Sequence, residues 1–475
     1  MKKRRSRNHR KQQPLHLTHK NQSLPETGNG KLNKMKLNRK LLTGIFFLQL
    51  AVSAKAQQVL TLEQAIDLGL KNNFDIRLAR NDAEVAANDN AYAIFAFAPR
   101  LNGTASNIWT NTATKQEFGN GTKRDTSGIK NRQLQAAVNL NWTLFDGLKM
   151  FATRQRFQAI EILGELSVKN QVENSIANII NSYYNISQQK QQLRALAEQM
   201  SISDERVKLS DAKFQTGLAP KTDWLQAKVD YNAQRANWLR QQTAIEQSKA
   251  SLNQLLGIAD GNLNYDVNDS IPVNLAISYG EILENLPNTN PQMQVARQNL
   301  EISRLVLKER KGEFYPVIAF NSAYNFSQSN ASAAINQFSP IFNQNRGFNY
   351  GFSATVPIFN GLNAHRALKQ AKLDIAYQQL SVDNTQSQVN LLLTNAFKDY
   401  EYYKMALTLE QESVDLAREN TMVALERFRQ GVSTTLEVKE AQQSLELASY
   451  RLIQARYNTK VAETELHRLK GSLLK

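Results

Sequence analysis

The chain has 475 residues, a formal charge of +16 and no cysteine. The length exceeds what one small core needs, and the absence of thiols excludes disulfides, thiolate metal sites, a cysteine nucleophile and a lipidated N-terminal cysteine. The charge suggests nucleic acid until it is located: residues 1–56 hold 14 Lys/Arg against one Glu, and the remainder keeps a net of only +3, so nucleic acid is not an expected partner.

Residues 1–34 are polar, basic and patternless, and they read as a dispensable or non-native extension before a true start at Met35. Residues 35–56 read as a secretory signal peptide: a basic stretch Met35–Lys40, an apolar run Leu41–Val52, and Ala54-Lys55-Ala56 as the cleavage site before Gln57. Arg4-Arg5 lies too far from the apolar run to be a twin-arginine signal. The run is too short for a membrane helix, and no long apolar segment follows. A membrane crossing by this chain must therefore use a β-barrel.

The rest of the chain is one unit written twice. Thr143-Leu144-Phe145-Asp146-Gly147 matches Pro357-Ile358-Phe359-Asn360-Gly361, Lys213-Phe214-Gln215-Thr216-Gly217 matches Arg427-Phe428-Arg429-Gln430-Gly431, and Leu255-Leu256-Gly257 matches Leu469-Lys470-Gly471, all at an offset of 214. Phe97-Ala98-Pro99 matches Phe314-Tyr315-Pro316 at 217. Landmarks in one order at near-constant offset mark a duplicated domain rather than a short solenoid repeat. The units are 57–257 and 278–475, joined by a connector at 258–277.

Each unit opens with a helix, 62–97 or 278–314, followed by two strands. A very long helix then runs over 148–216 or 362–430. A break at Gly217-Leu218-Ala219-Pro220 or Gly431-Val432-Ser433 leads to a return helix, 221–257 or 435–470. Leu134, Ala136, Val138, Leu140, Trp142 and Leu144 alternate with polar residues, as do Phe348, Tyr350, Phe352, Ala354, Val356 and Ile358. Ile318, Phe320, Tyr324 and Phe326 share a face of a third strand, while 101–112 alternates poorly. Such runs of about ten residues fit a membrane barrel. A soluble hairpin with one wet face is the bland alternative, disfavoured by the export signal, the aromatics and the isolation of the strands in two pairs. Two hairpins cannot close a barrel, so the membrane reading requires several chains to pool their strands.

The long helices repeat by sevens, as coiled coils do. Leu409, Leu416 and Val423 form one row on the second long helix. Ala441, Ala448, Ala455 and Ala462 form a row on its return helix, beside Leu445, Leu452, Thr459 and Leu466. Tyr231, Trp238, Ile245 and Leu252 form a row in the first copy. The remaining faces are rich in Gln, Asn, Lys and Glu, as at Gln188 to Gln192. On the helices alone, a solid stalk and a wet-centred tunnel are equally good readings.

No Ser/His/Asp set, P-loop or dinucleotide fingerprint is present. His9, His16 and His19 fall in the leader, and His365 and His467 are isolated on helices. No enzyme activity, catalytic residue, metal or cofactor is expected.

The duplicated order, the strand-to-helix junctions Phe145-Asp146-Gly147 and Phe359-Asn360-Gly361, the prolines Pro99 and Pro316 entering the strands, and the Phe-x-x-Gly turns followed six residues on by an acid resemble the TolC family of outer-membrane channel proteins over about 60–471. The resemblance implies a homotrimer on an outer membrane, mainly α-helical with membrane β structure, in which each copy adds four strands to one β-barrel and its helices to a tunnel through the periplasm. It implies a passive duct for efflux or type I secretion, met by a periplasmic adaptor and, through it, an inner-membrane RND or ABC pump. The helix-tip turns 217–220 and 431–433 would dock the adaptor, and loops 111–132 and 329–346 would face outside. Phe428, Glu437, Glu440 and Asp223 would sit at the periplasmic gate. Ser433 stands where the family can carry a gate arginine, which leaves Arg427 and Arg429 as cations for a different closing network. Acids at the start of a helix also suit its dipole, and that reading of Glu437 and Glu440 competes with the gate. A structural periplasmic coiled-coil or adaptor protein is the alternative for the whole chain.

Overall fold

The computed structural model describes residues 59–258, 265–334 and 338–474. The leader, including its signal peptide and three histidines, lies outside the described residues. In chain order the elements are β1 (Val59–Leu60), α1 (Leu62–Asn72), α2 (Phe74–Ala93), a 3-10 turn (Ile94–Phe97), β2 (Arg100–Glu117), β3 (Lys123–Phe145), α3 (Lys149–Gln215) and α4 (Lys221–Leu255), then β4 (Asp266–Val267), α5 (Tyr279–Thr289), α6 (Pro291–Gly312), β5 (Val317–Ala331), β6 (Phe342–Thr355), α7 (Asn363–Arg429) and α8 (Thr435–Lys470). The long helices α3 and α7 have 67 residues each, about 100 Å at 1.5 Å per residue.

Three expectations need correction. The opening helix of each copy is broken, at Asn73 and at Asn290. There the asparagine leaves helical geometry and its side chain caps the next helix, accepting from Ile76 N at 3.1 Å and from Met293 N at 3.0 Å. Its amide nitrogen pins the end of the return helix, donating to Leu255 O at 2.7 Å and to Leu469 O at 2.9 Å. This seat explains the recurring glycine: Gly257 and Gly471 both have φ +69, and a Cβ would lie 2.2 Å from Asn72 O or 2.6 Å from Thr289 O.

The described part of the connector packs into the core. β4 pairs in parallel with β1, and Tyr265, Val267 and Ile271 are buried in the cluster with Ile176, Ile179 and Tyr183 of α3. Lys190 ties the segment down through Asp266 at 2.6 Å and Asp269 at 2.5 Å.

The strands do not stay in two pairs. They form one antiparallel sheet in the order β2-β3-β5-β6, and β3 of the first copy runs a ladder with β5 of the second from Asn131↔Ala331 to Phe145↔Ile318.

The heptad rows sort by face. Both return-helix rows of α8 are buried, Ala441 to Ala462 and Leu445 to Leu466. Across the helical layer the order is α4-α3-α8-α7, since α3 packs on both α4 and α8, and α7 packs on α8. The row Leu409, Leu416 and Val423 on α7 points away from this packing and is exposed. The row α7 buries is a different one, with Leu393, Tyr400, Val414, Thr421 and Phe428. The glutamines of α3 are also not a wet face: Gln188 is buried and bonds Gln454 at 2.7 Å, and Gln189 bonds Ser248 at 2.6 Å.

Candidate functional site

The two ends of the long helices carry the candidate sites. At one end is the sheet. Directly opposed residues in an antiparallel ladder share a face, and the register assigns the faces without ambiguity. Leu101 opposes Leu140, Trp142 opposes Phe320, and Phe320 opposes Phe352. Val138 likewise opposes Tyr324, and Tyr324 opposes Phe348. This face stays bare: Leu101 is 68%, Tyr324 52%, Phe348 65% and Phe352 75% exposed. The other face is an Asn/Ser lattice. Asn141 bonds Asn321 at 2.5 Å, Asn321 bonds Ser353 at 2.8 Å, and Ser329 bonds Asn131 at 3.0 Å. The weak alternation of β2 is explained by small residues, Gly103 and Ala105, on the apolar face. β2 and β6 are the sheet's two edges, 18 and 14 residues long, and each offers an unpaired row of backbone groups.

The junctions below the sheet repeat one design. Gly147 (φ 71) and Gly361 (φ 64) are left-handed, and so are the following Leu148 (φ 64) and Leu362 (φ 62). A left-handed leucine costs about 1–2 kcal/mol. The side-chain oxygens of Asp146 and Asn360 support the strained start by accepting from Met150 N at 3.1 Å and Ala364 N at 3.5 Å. Pro99 and Pro316 stand immediately before β2 and β5. The copies differ in surroundings: a Cβ on Gly147 would meet Gly312 O at 2.3 Å, whereas one on Gly361 would meet only Asn363 Nδ2 at 3.7 Å.

At the other end are the helix tips. Gly217 (φ 75) and Gly431 (φ 82) turn the chain, and their surroundings are open. Leu218 is 79% and Val432 63% exposed. Asp223 and Glu437 each occupy the third position of the following helix, and Glu437 N donates to Thr434 Oγ1 at 3.3 Å. Glu437 and Glu440 are exposed and, among the described residues, form no ion pair within the chain. Phe428 is buried, with the Lys213 ammonium 3.7 Å from its ring centre and bonded to its carbonyl. Burial pushes that ammonium below the usual lysine range. Arg429 pairs with Glu205 and with Glu426; Arg427 is exposed without a described partner.

Sequence reading missed the most buried charge at this end. Arg206 is 2% exposed and bonds Asp230 at 2.7 Å, while Asp230 also takes Lys439 at 3.1 Å and Gln226 at 3.0 Å. Burial lowers the Arg206 pKa. Burial works against the Asp230 carboxylate too, yet Lys439, Gln226 and Arg206 together hold it below the usual range. The available signal was the polar seam on α3: Gln199, Ser203, Arg206 and Ser210 keep coiled-coil spacing and are all buried. Thus the two copies meet at their tips through α3–α7 and α4–α8 ion pairs. The two histidines do no such work: His365 lies edge-on to Phe314 at 5.0 Å, and His467 faces Ser472 at 3.3 Å. Among the described residues no cluster of potential metal ligands exists, and no described helix is long and apolar enough to cross a membrane.

Comparison with known proteins bears on both ends. The family model described as outer membrane efflux protein matches residues 65–258 and 282–472. Outer membrane protein TolC of Escherichia coli is 21% identical over 455 residues, covering 92% of this chain and 87% of that one. Cation efflux system protein CusC of Escherichia coli is 26% identical over 447 residues, covering 87% and 86%. The crystal structure of the outer membrane protein VceC from Vibrio cholerae superposes with a TM-score of 0.71 at 16% identity, covering 86% of this chain and 96% of that one.

Proposed function

The chain belongs to the outer membrane efflux protein family, whose members are outer-membrane channels, and on that footing we propose that three copies form a passive duct for efflux or secretion. The observation that carries this is the sheet, with one largely apolar face, one Asn/Ser face and two long unpaired edges. Joining edge to edge removes the unpaired groups, turns the apolar face to lipid and the polar face to a lumen. Two copies would give eight strands, whose interior side chains fill. Three give twelve and leave a passage. Transport through it needs no catalytic group; an inner-membrane pump of the RND or ABC type, reached through a periplasmic adaptor at the exposed turns 217–220 and 431–433, would supply the energy.

In this reading Glu437 and Glu440, exposed and free of ion pairs among the described residues, line the periplasmic opening as rings of carboxylates, and Asp223 adds a weaker ring from the first copy. The Lys213–Phe428 and Arg429–Glu205 contacts hold the tips together in place of a gate arginine at Ser433. The test is biochemical and electrical. A heat-resistant trimer is expected in the outer-membrane fraction, and a soluble periplasmic monomer would sink the duct. Replacing Glu437 and Glu440 by Ala should lower cation selectivity in planar bilayers; unchanged selectivity would leave both as helix-dipole residues.

A further inference from the structure

The apolar face of the sheet ends in cations. Its row on β3 runs from Leu144 through Trp142, Leu140, Val138 and Ala136 to Leu134, and the next two positions of that row, away from the helices, are Arg132 and Lys130. On β6 the row Phe352, Tyr350, Phe348 gives way in the same direction to Arg346. All three cations are exposed. The Arg132 guanidinium lies over the Trp109 ring at 5.9 Å, and its Nε donates to Asn107 Oδ1 at 3.2 Å, which holds the group against the sheet. Trp109 itself is 69% exposed. Arg346 lies over Phe326 at 5.6 Å. The opposite face at this level, with Asn131, Gln133 and Ser329, carries no charge.

We propose that Lys130, Arg132 and Trp109, with Arg346 farther around the wall, form a seat for the phosphate of a glycolipid in the outer leaflet. The inference rests on the reading of the sheet as a barrel wall and names a lipid that the wall selects. Three observations converge. The first is depth. Leu144 to Leu134 spans about 34 Å along a strand, or about 26 Å of height at a tilt of about 40°, which matches the apolar band of a membrane barrel. Arg132 and Lys130 therefore stand at headgroup level, about 7 Å apart on one row, with room for a phosphate between them. The second is charge. Residues 100–145 and 317–355 contain only two acids, Glu117 and Asp125, and both are taken, by Lys123 at 3.2 Å and Lys115 at 2.9 Å. The strands of a neighbouring copy have the same sequence and bring no spare carboxylate. Cations at a lipid surface without a protein counter-ion draw one from anionic headgroups. The third is shape. The guanidinium fork takes phosphate oxygens in pairs, and the flat indole beside it suits a phosphorylated sugar ring better than a glycerol phosphate.

The test is lipid binding to the intact trimer in mild detergent, read as a rise in its heat-dissociation temperature on gels. Diphosphoryl lipid A should raise that temperature. Dephosphorylated lipid A, phosphatidylglycerol and inorganic phosphate at the same concentration should leave it unchanged. Lys130→Gln, Arg132→Gln and Arg346→Gln together should weaken the response to lipid A about a hundredfold. If that chain yields no trimer, Arg132→Gln alone carries the test, with a loss of about fivefold. Lys115→Gln with Lys123→Gln removes two cations that already have partners, and should leave the response as in the wild type. An equal response to phosphatidylglycerol or to dephosphorylated lipid A overturns the glycolipid seat. So does a wild-type response in the chain lacking the three cations, or an equal loss in the Lys115 and Lys123 control. A wild-type trimer indifferent to lipid A overturns the seat but leaves the duct standing; no wild-type trimer at all overturns both.

Discussion

The two copies of the repeat are joined differently at the two ends of the long helices. At the sheet, β3 and β5 share a backbone ladder along nearly their whole length. At the tips the copies touch through side chains: Arg429 with Glu205, Lys439 with Asp230, Lys213 with the Phe428 carbonyl. The buried residues of α3 follow a matching gradient: Val172, Ile176, Ile179 and Tyr183 nearer the sheet, Gln199, Ser203, Arg206 and Ser210 nearer the tip. A ladder opens only by breaking many hydrogen bonds together, whereas ion pairs can be exchanged one at a time with other partners or water. One molecule thus has an end fit to be a wall and an end fit to move.

That contrast can be broken at either end. The largest effect is expected from Val138→Pro, because proline cannot serve a strand paired on both sides: no trimer should be recovered from outer membranes on unheated gels. Next is Asp230→Ala, which strands the buried Arg206. Removing one partner of a buried pair costs about 3 kcal/mol or more, and the loss should appear as faster hydrogen exchange in the lower parts of α3 and α4, with the sheet unchanged. Replacing both partners, Arg206→Met with Asp230→Leu, should recover much of it. Smaller still is a contrast between copies. Gly147→Ala meets the Gly312 carbonyl as well as a left-handed backbone, whereas Gly361→Ala carries the conformational cost alone, about 1–2 kcal/mol. The first should lower the heat-dissociation temperature more; equal losses would mean that a neighbouring copy crowds Gly361.

The smallest effect is that of pH, and it also separates regions. Asp230 is held below its ordinary 3.8, so its contribution is complete above about that pH and is lost only as pH falls through the folded value. His467 is the opposite case: burial lowers its pKa from 6.5, so protonation favours the unfolded chain and stability falls as pH drops below 6.5. Between pH ~7.5 and ~5.5 melting should shift slightly in the wild type and not in His467→Gln, and the protection of the tip amides relative to free-chain exchange should stay constant.

Much of this was legible because duplication and period survive in the letters. The offset of 214, the strand faces and the long-helix bounds, within about a residue, follow from residue type alone. What escaped was set by long-range partners. Nothing local distinguishes Asn73 from any other asparagine until Leu255 O arrives from 182 residues away. The β3–β5 ladder joins strands of different copies, and no hairpin turn announces it. The row Leu409, Leu416, Val423 was visible as a period, but a period does not say whether the partner is the same chain or another.

The open edges of β2 and β6 also have a consequence in time. Until it is joined, a protomer carries a long, bare, apolar-faced strand on each side, which is a template for unwanted pairing. Its hazard therefore grows with the interval between export and assembly. Helical contacts that bring copies together before the strands meet would shorten that interval. Variants weakened only at the tip should then show their defect first as aggregation during biogenesis, at high expression, and only later as a fault in the finished channel.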